Sequence, residues 1–183
     1  MVAANISERY ERETAHLPMA FEEPHWYVAR TSANHEKRVT QQLQERSVEN
    51  FLPLYESMRR WKDRRMKLQV PLFPGYVFVR LLLRERLKVL QVPGVVRLIS
   101  FNGQPATVPE KEIEALRTGL AQLRAEPHPY LTVGRRVRVK NGALEGMEGI
   151  LIRKKNSCRV VLSLDLIMRS ASVEVEAGDL ERI

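Results

Sequence analysis

Cysteine is all but missing from this chain. Cys158 stands alone among 183 residues, so no internal disulfide can form. Its neighbours Arg159-Val160-Val161-Leu162 read as an apolar strand, which predicts a buried structural thiol rather than an activated nucleophile. Histidine is sparse too: His16, His25, His35 and His128 are scattered, and none has a second ligand at zinc-binding spacing. Gly94 and Gly103 build neither of the common phosphate-cradling loops. The carboxylates of Glu174, Glu176, Asp179 and Glu181 alternate near the carboxyl end and read as solvated surface, not as a metal site. No catalytic constellation emerges, so the chain is expected to act by binding, with no metal and no cofactor. No apolar run approaches about 18 residues, and the amino terminus lacks the basic-then-apolar order of a secretion signal. These exclusions predict a cytoplasmic protein without membrane contact; a monomer is expected.

What is present in excess is positive charge, and it is unevenly placed. The net charge is +8. Residues 1–25 carry two cations against five anions, residues 26–122 carry 17 against 9, and residues 131–183 carry 10 against 7. A positive field over the middle of the chain attracts nucleic acid, although it also serves solubility alone. Its densest point is Arg59-Arg60-Trp61-Lys62-Asp63-Arg64-Arg65-Met66-Lys67, with six cations, one anion and one tryptophan. Packed together such charges repel, so an exposed hairpin or loop is predicted. Either it is plain solvated surface, or its cations meet phosphates while Trp61 offers a stacking face to an unpaired base.

The pattern predicts an α+β fold in two domains. Residues 1–22 are polar and acidic and read as a flexible tail. Residues 23–124 form the first domain, an antiparallel sheet with flanking helices. Its elements are a strand at Trp26-Tyr27-Val28-Ala29-Arg30, a helix from Asn34 to about Arg46 with Val39 and Leu43 inward, and a strand around Phe51–Tyr55 broken or edged by Pro53. A short helix over Arg84–Val92 follows, with Leu87 and Leu90 inward, then a strand from Val95 and a turn at Gly103. Thr107 and Glu110 have capping-box spacing ahead of a helix striped by Ile113, Leu116, Leu120 and Leu123. Two prolines in residues 125–130 predict a linker. Residues 131–183 switch to period two, with turns at Asn141-Gly142 and Glu148-Gly149, and predict a small closed β-barrel.

The chain is organised around Phe73-Pro74-Gly75-Tyr76-Val77-Phe78-Val79, a turn that feeds into an aromatic strand. Pro74 cannot donate to a ladder, and Gly75 admits backbone angles closed to other residues or a close approach. From Tyr76 to Leu81 the strand alternates: Tyr76, Phe78 and Arg80 on one face, Val77, Val79 and Leu81 on the other. The aliphatic face is the core face. The aromatic one lies either against a helix or against another molecule.

This stretch resembles the Phe-Pro-Gly-Tyr signature of NusG-type transcription elongation factors. Trp26-Tyr27-Val28, Val92-Pro93-Gly94-Val95-Val96 and the Gly142–Gly149 segment, similar to a KOW motif, follow the order of that family. The resemblance implies an NGN domain that grips the clamp helices of RNA polymerase through Phe73, Tyr76 and Phe78, with Trp26, Tyr27 and Val92 as further lining residues. It implies that Arg59, Arg60, Trp61, Lys62, Arg64, Arg65 and Lys67 lie close to non-template or upstream DNA at the transcription bubble. It implies an SH3-like KOW barrel that recruits a small-subunit ribosomal protein or Rho through Leu144, Met147, Ile167, Met168 and Arg169, with Gly149 at a tight bend. Leu144, Met147 and Ile167-Met168-Arg169 stand where the family commonly has phenylalanines and Phe-Gly-Arg, which leans towards a specialised, RfaH-type antiterminator. The other reading is an RNA- or ribosome-binding KOW protein without a polymerase function.

Overall fold

Strands form where apolar and polar residues alternate, and helices where apolar residues recur every three or four positions. The structure, a computed structural model, describes residues 23–61, 64–122, 125–128, 134–154 and 157–183. The predicted tail, residues 1–22, lies outside them. In chain order the elements begin with β1 (His25–Thr31), α1 (Glu36–Glu45), β2 (Glu49–Phe51), β3 (Leu54–Trp61), β4 (Arg64–Pro71) and β5 (Tyr76–Leu81). Then come α2 (Leu87–Leu90), β6 (Val95–Leu98), β7 (Ser100–Phe101), β8 (Gln104–Pro105), β9 (Thr107–Val108) and α3 (Glu110–Gln122). The last are β10 (Ala125–His128), β11 (Arg135–Val139), β12 (Glu148–Lys154), β13 (Ser157–Leu164), β14 (Arg169–Val175) and β15 (Leu180–Arg182). The chain divides into two units, Met1–Leu52 with Pro74–Glu110, and Pro53–Phe73 with Lys111–Ile183. This division sets β3, β4 and most of α3 with the C-terminal strands, where the sequence pattern grouped them with the first domain.

The first unit is an antiparallel sheet in the order β2-β5-β1-β6, with β9 also paired to β1. One face carries Tyr27, Ala29, Val77, Val79 and Leu81, which form a single core with Val39 and Leu43 of α1 and with Leu83, Val89 and Val92. Burying each such side chain contributes about 1.5–3 kcal/mol, so this face holds the unit together. Helix α1 starts one residue later than the predicted cap: Asn34 sits in the left-handed region at φ 61°, and His35 takes the N-cap position. The predicted helix over Arg84–Val92 breaks into a 3-10 turn (Leu83–Glu85) and the single turn of α2. That break shifts the phase. Val89 is fully buried, while Leu87 and Leu90, expected inward, are 58% and 37% exposed.

In the second unit, β3 and β4 form a two-stranded hairpin of eight residues a side, and the Leu72 N–H donates to the Pro53 carbonyl at its base. The C-terminal strands form one antiparallel sheet in the order β10-β14-β13-β12-β11-β15. Arg138 ties three of these strands, its guanidinium reaching Glu148 at 2.6 Å and Glu181 at 3.5 Å. Those carboxylates, Glu148 first, hold its pKa above the ordinary value. Among the described residues β10 and β15 are not paired to each other, where the pattern predicted closure into a barrel. Ala125–His128, expected as part of a linker over residues 125–130, is a strand paired with β14. It is an edge strand, a place in a sheet where a proline such as Pro127 is tolerated.

Gly149 also differs from expectation. It lies within β12 opposite Val137, not at a bend. A Cβ there would stand 2.5 Å from the Val161 carbonyl oxygen and 2.6 Å from Val160 Cγ1. Close approach of β13, not turn geometry, demands glycine. The bends fall at Gly142 and Gly146, at φ 90° and 80°.

Candidate functional site

Two Pro-Gly turns meet the start of α1, and the first of them fixes where the signature strand begins. Gly75 adopts φ 85°, and its peptide is held at both ends. Its N–H donates to Glu36 Oε1 at 2.7 Å, and its carbonyl accepts from the Thr31 N–H at 2.8 Å. Glu36 is buried in the first turn of α1, where the helix dipole favours a carboxylate. Gly94, at φ 99°, accepts from the Ser32 N–H, and a Cβ on it would stand 3.1 Å from Val39 Cγ2 and 3.2 Å from His35 Cβ. Both turns thus close onto the start of one helix, and β5 leaves the first of them with Tyr76 in a defined place.

The strand register lays out the face opposite the α1 core in three rows. Nearest the turn, Tyr76, Arg30 and Arg97 lie side by side on β5, β1 and β6. The middle row is Phe51, Phe78 and Val28 on β2, β5 and β1. The far row is Glu49, Arg80, Trp26 and Val108 on β2, β5, β1 and β9. Phe51 and Phe78 stand with ring centroids 6.1 Å apart and planes tilted by 33°, within the range of favourable aromatic pairs. Arg80 is held between Glu49 and Glu110, at 3.4 Å from each, and Glu110 also accepts from Trp26 Nε1 at 3.4 Å. The Glu110 carboxylate, expected in a capping box, is therefore engaged with the sheet.

The register brings Trp26, Tyr76 and Phe78 onto one face, as the alternation predicted, but the face is not open. Phe78 is 0% exposed, Trp26 2% and Tyr76 8%. An outward-facing aromatic patch was expected; in this structure the rings are covered, Phe78 in part by its neighbour Phe51. Phe73 is buried as well. Tyr27 and Val92, expected to line the same surface, belong to the opposite core with α1: odd and even positions of β1 point to opposite faces, and Val92, which follows α2, packs into that same core. Burial pushes the Tyr27 hydroxyl pKa up, and among the described residues that hydroxyl has no hydrogen-bond partner.

The basic segment forms the distal half of the β3–β4 hairpin. Arg59, Arg60 and Trp61 are on β3, and Arg64, Arg65 and Lys67 on β4. Lys62 and the side chains of residues 59–65 lie outside the described residues. Lys67 is exposed and pairs with Glu56 at 3.3 Å, and Met58 and Met66 are exposed beside it.

The predicted partner surface of the C-terminal sheet is divided. Met168, in the left-handed conformation at φ 49°, is 61% exposed, Arg169 is exposed and Met147 is half-buried. Leu144 and Ile167 are buried instead. Leu144 sits against α3 at Gly119, where a Cβ would stand 2.6 Å from Leu144 Cδ2, so the missing side chain opens the space the leucine fills. Among the described residues no group of three or more His, Cys, Asp or Glu could hold a metal ion, and no helix is long and apolar enough to cross a membrane.

Comparison with known proteins agrees with this architecture. A family model described as transcription termination factor nusG matches residues 24–117. The transcription termination/antitermination protein NusG of Lactococcus lactis is 28% identical over 172 residues, covering 86% of this chain and 92% of that protein. The Escherichia coli K12 protein of the same name is 27% identical over 173 residues, covering 86% and 95%. The solved structure of Thermotoga maritima NusG shares the fold, with TM-score 0.57 at 21% identity, covering 88% of this chain and 98% of that one. Fold and relatives together define a transcription elongation and antitermination factor, a class of protein that works by binding. The chain belongs to the NusG family.

Proposed function

We infer that the face of Trp26, Val28, Tyr76 and Phe78 is the surface that docks on the clamp helices of RNA polymerase, restrains the clamp and suppresses pausing or termination. The observation that carries this reading is the single aromatic face that β5 presents opposite the α1 core, begun at a turn pinned by Glu36. Aromatic side chains cover large area at small entropy cost and make strong interface anchors. Because Tyr76 and Phe78 are covered in the free chain, docking uncovers them first, and polymerase selects the uncovered population. The hairpin cations lie on an arm suited to DNA phosphates beside the bubble. The C-terminal sheet, read as a KOW barrel, recruits a ribosomal protein or Rho through Met168, Arg169 and Met147. The divergent residues there favour a specialised, RfaH-type factor acting in the cytoplasm.

Tyr76→Ala is expected to weaken binding of the full chain to core RNA polymerase by about 30-fold or more, the range of an interface hot spot. Unchanged affinity, with amide exchange showing an intact β1–β5 pair, contradicts the reading. Retention on ribosomes that survives Tyr76→Ala but is lost when Arg59, Arg60, Arg64 and Arg65 become glutamine supports an RNA- or ribosome-binding module instead.

A further inference from the structure

Three arginines lie on the aromatic face, and they are treated differently. Arg80, half-buried at the far row, is neutralised by Glu49 and Glu110. Arg30 and Arg97 are directly opposite each other on β1 and β6, and both are exposed. Among the described residues neither guanidinium has a hydrogen bond or ion pair. Like charges directly opposite on an antiparallel pair destabilise a sheet. The register shift between Arg30 and Thr31 sets Thr31 opposite Val95, which joins the core, and leaves Arg97 beside Arg30. The sheet therefore maintains a juxtaposition that is unfavourable unless an anion meets it.

We propose that Arg30 and Arg97 form a receptor for a carboxylate-bearing segment of the protein that docks on the aromatic face. This rests on the docking function inferred above. Side chains opposite each other on neighbouring strands have Cβ atoms about 5 Å apart, so two guanidinium forks converge on one or two carboxylates. Tyr76 stands on the other side of Arg30 in the same row, which places an aromatic contact next to a charged one. That combination fits a helix presenting an acidic residue beside apolar ones. A nucleic-acid strand would need the cationic track to continue, whereas the next arginine along β5, Arg80, is already neutralised by two carboxylates.

The pair also differs from the rings in availability. Arg30 and Arg97 are exposed in the free chain while Tyr76 and Phe78 are covered. They are thus a part of this face that a partner can meet before the rings are uncovered. Exposed charges act mainly on encounter, raising the association rate in a salt-dependent way, while buried anchors act on dissociation.

The test is association of the full chain with core RNA polymerase, followed by rapid mixing across a range of salt. The double variant Arg30→Gln with Arg97→Gln is expected to lower the association rate about tenfold at low salt and to flatten its salt dependence, with dissociation little changed. Both side chains are exposed, so the fold is retained, and amide exchange across β1–β6 checks this. An unchanged association rate and salt slope, in a chain whose polymerase binding still depends on Tyr76, overturns the receptor while leaving the docking function standing. Polymerase binding indifferent to Tyr76→Ala removes the docking function itself. A double variant that loses affinity for a single-stranded oligonucleotide but associates with polymerase at the original rate also overturns the proposal, in favour of a phosphate ligand.

Discussion

Phe78→Ala is expected to lower the stability of the first unit by about 3–5 kcal/mol, the cost of deleting a fully packed aromatic side chain. Phe78 is completely buried, with Phe51 and Val28 as its neighbours across the two adjoining strands. Its removal takes away the transfer free energy of a ring and leaves a cavity between three strands that cannot all move inward. Phe78→Leu keeps most of the volume and is expected to cost under about 1.5 kcal/mol. Hydrogen exchange of the Val77 and Val79 amides, read against denaturant, measures both. A loss below about 1 kcal/mol for the alanine variant would mean that the ring is not packed. The result matters for function too, because a variant at Phe78 that fails to bind polymerase has lost folding stability as well as a contact. Tyr76 is the cleaner probe.

Gly149→Ala is the second large effect. The new methyl would stand 2.5 Å from a backbone carbonyl oxygen of β13 and 2.6 Å from a valine methyl on the same strand. A long side chain could swing away from such a contact; a carbonyl within a paired strand cannot. The β12–β13 pairing must therefore splay, at about 1–3 kcal/mol or more. Gly178→Ala is the control, since nothing lies within 4 Å of a Cβ there. Urea unfolding should separate the two variants by most of that cost. Equal stability would mean that β12 and β13 are not held at the spacing seen here.

Local pattern made much of this legible. Period two along Tyr76–Leu81 assigned the aliphatic positions to the core, and the spacing of Ile113 and Leu116 on α3 picked out residues that are buried. What escaped were features set by tertiary neighbours. Tyr27 and Val92 were expected as lining residues on the family resemblance alone, yet the parity of β1 and the packing of α2 send both under α1. Two prolines made residues 125–130 read as a linker, although an edge strand accommodates one of them. Gly149 advertised a turn because glycine usually does, and only the position of β13 reveals the close approach. Leu144 resembled an interface residue, and nothing in its own segment announces Gly119, 25 positions away, as the notch that receives it. The Glu36–Gly75 bond, spanning 39 residues, had no local signal at all.

The claim on which the functional account depends is that polymerase meets the aromatic face and not the α1 side of the sheet. Photo-crosslinking distinguishes these directly. A crosslinking amino acid in place of Glu49, exposed on the aromatic face beside Arg80, is expected to attach to the clamp coiled coil of core RNA polymerase. The same group in place of Gln41, exposed on α1, is expected to give no such product. Crosslinks from Gln41 alone, or equally from both positions, would contradict the account.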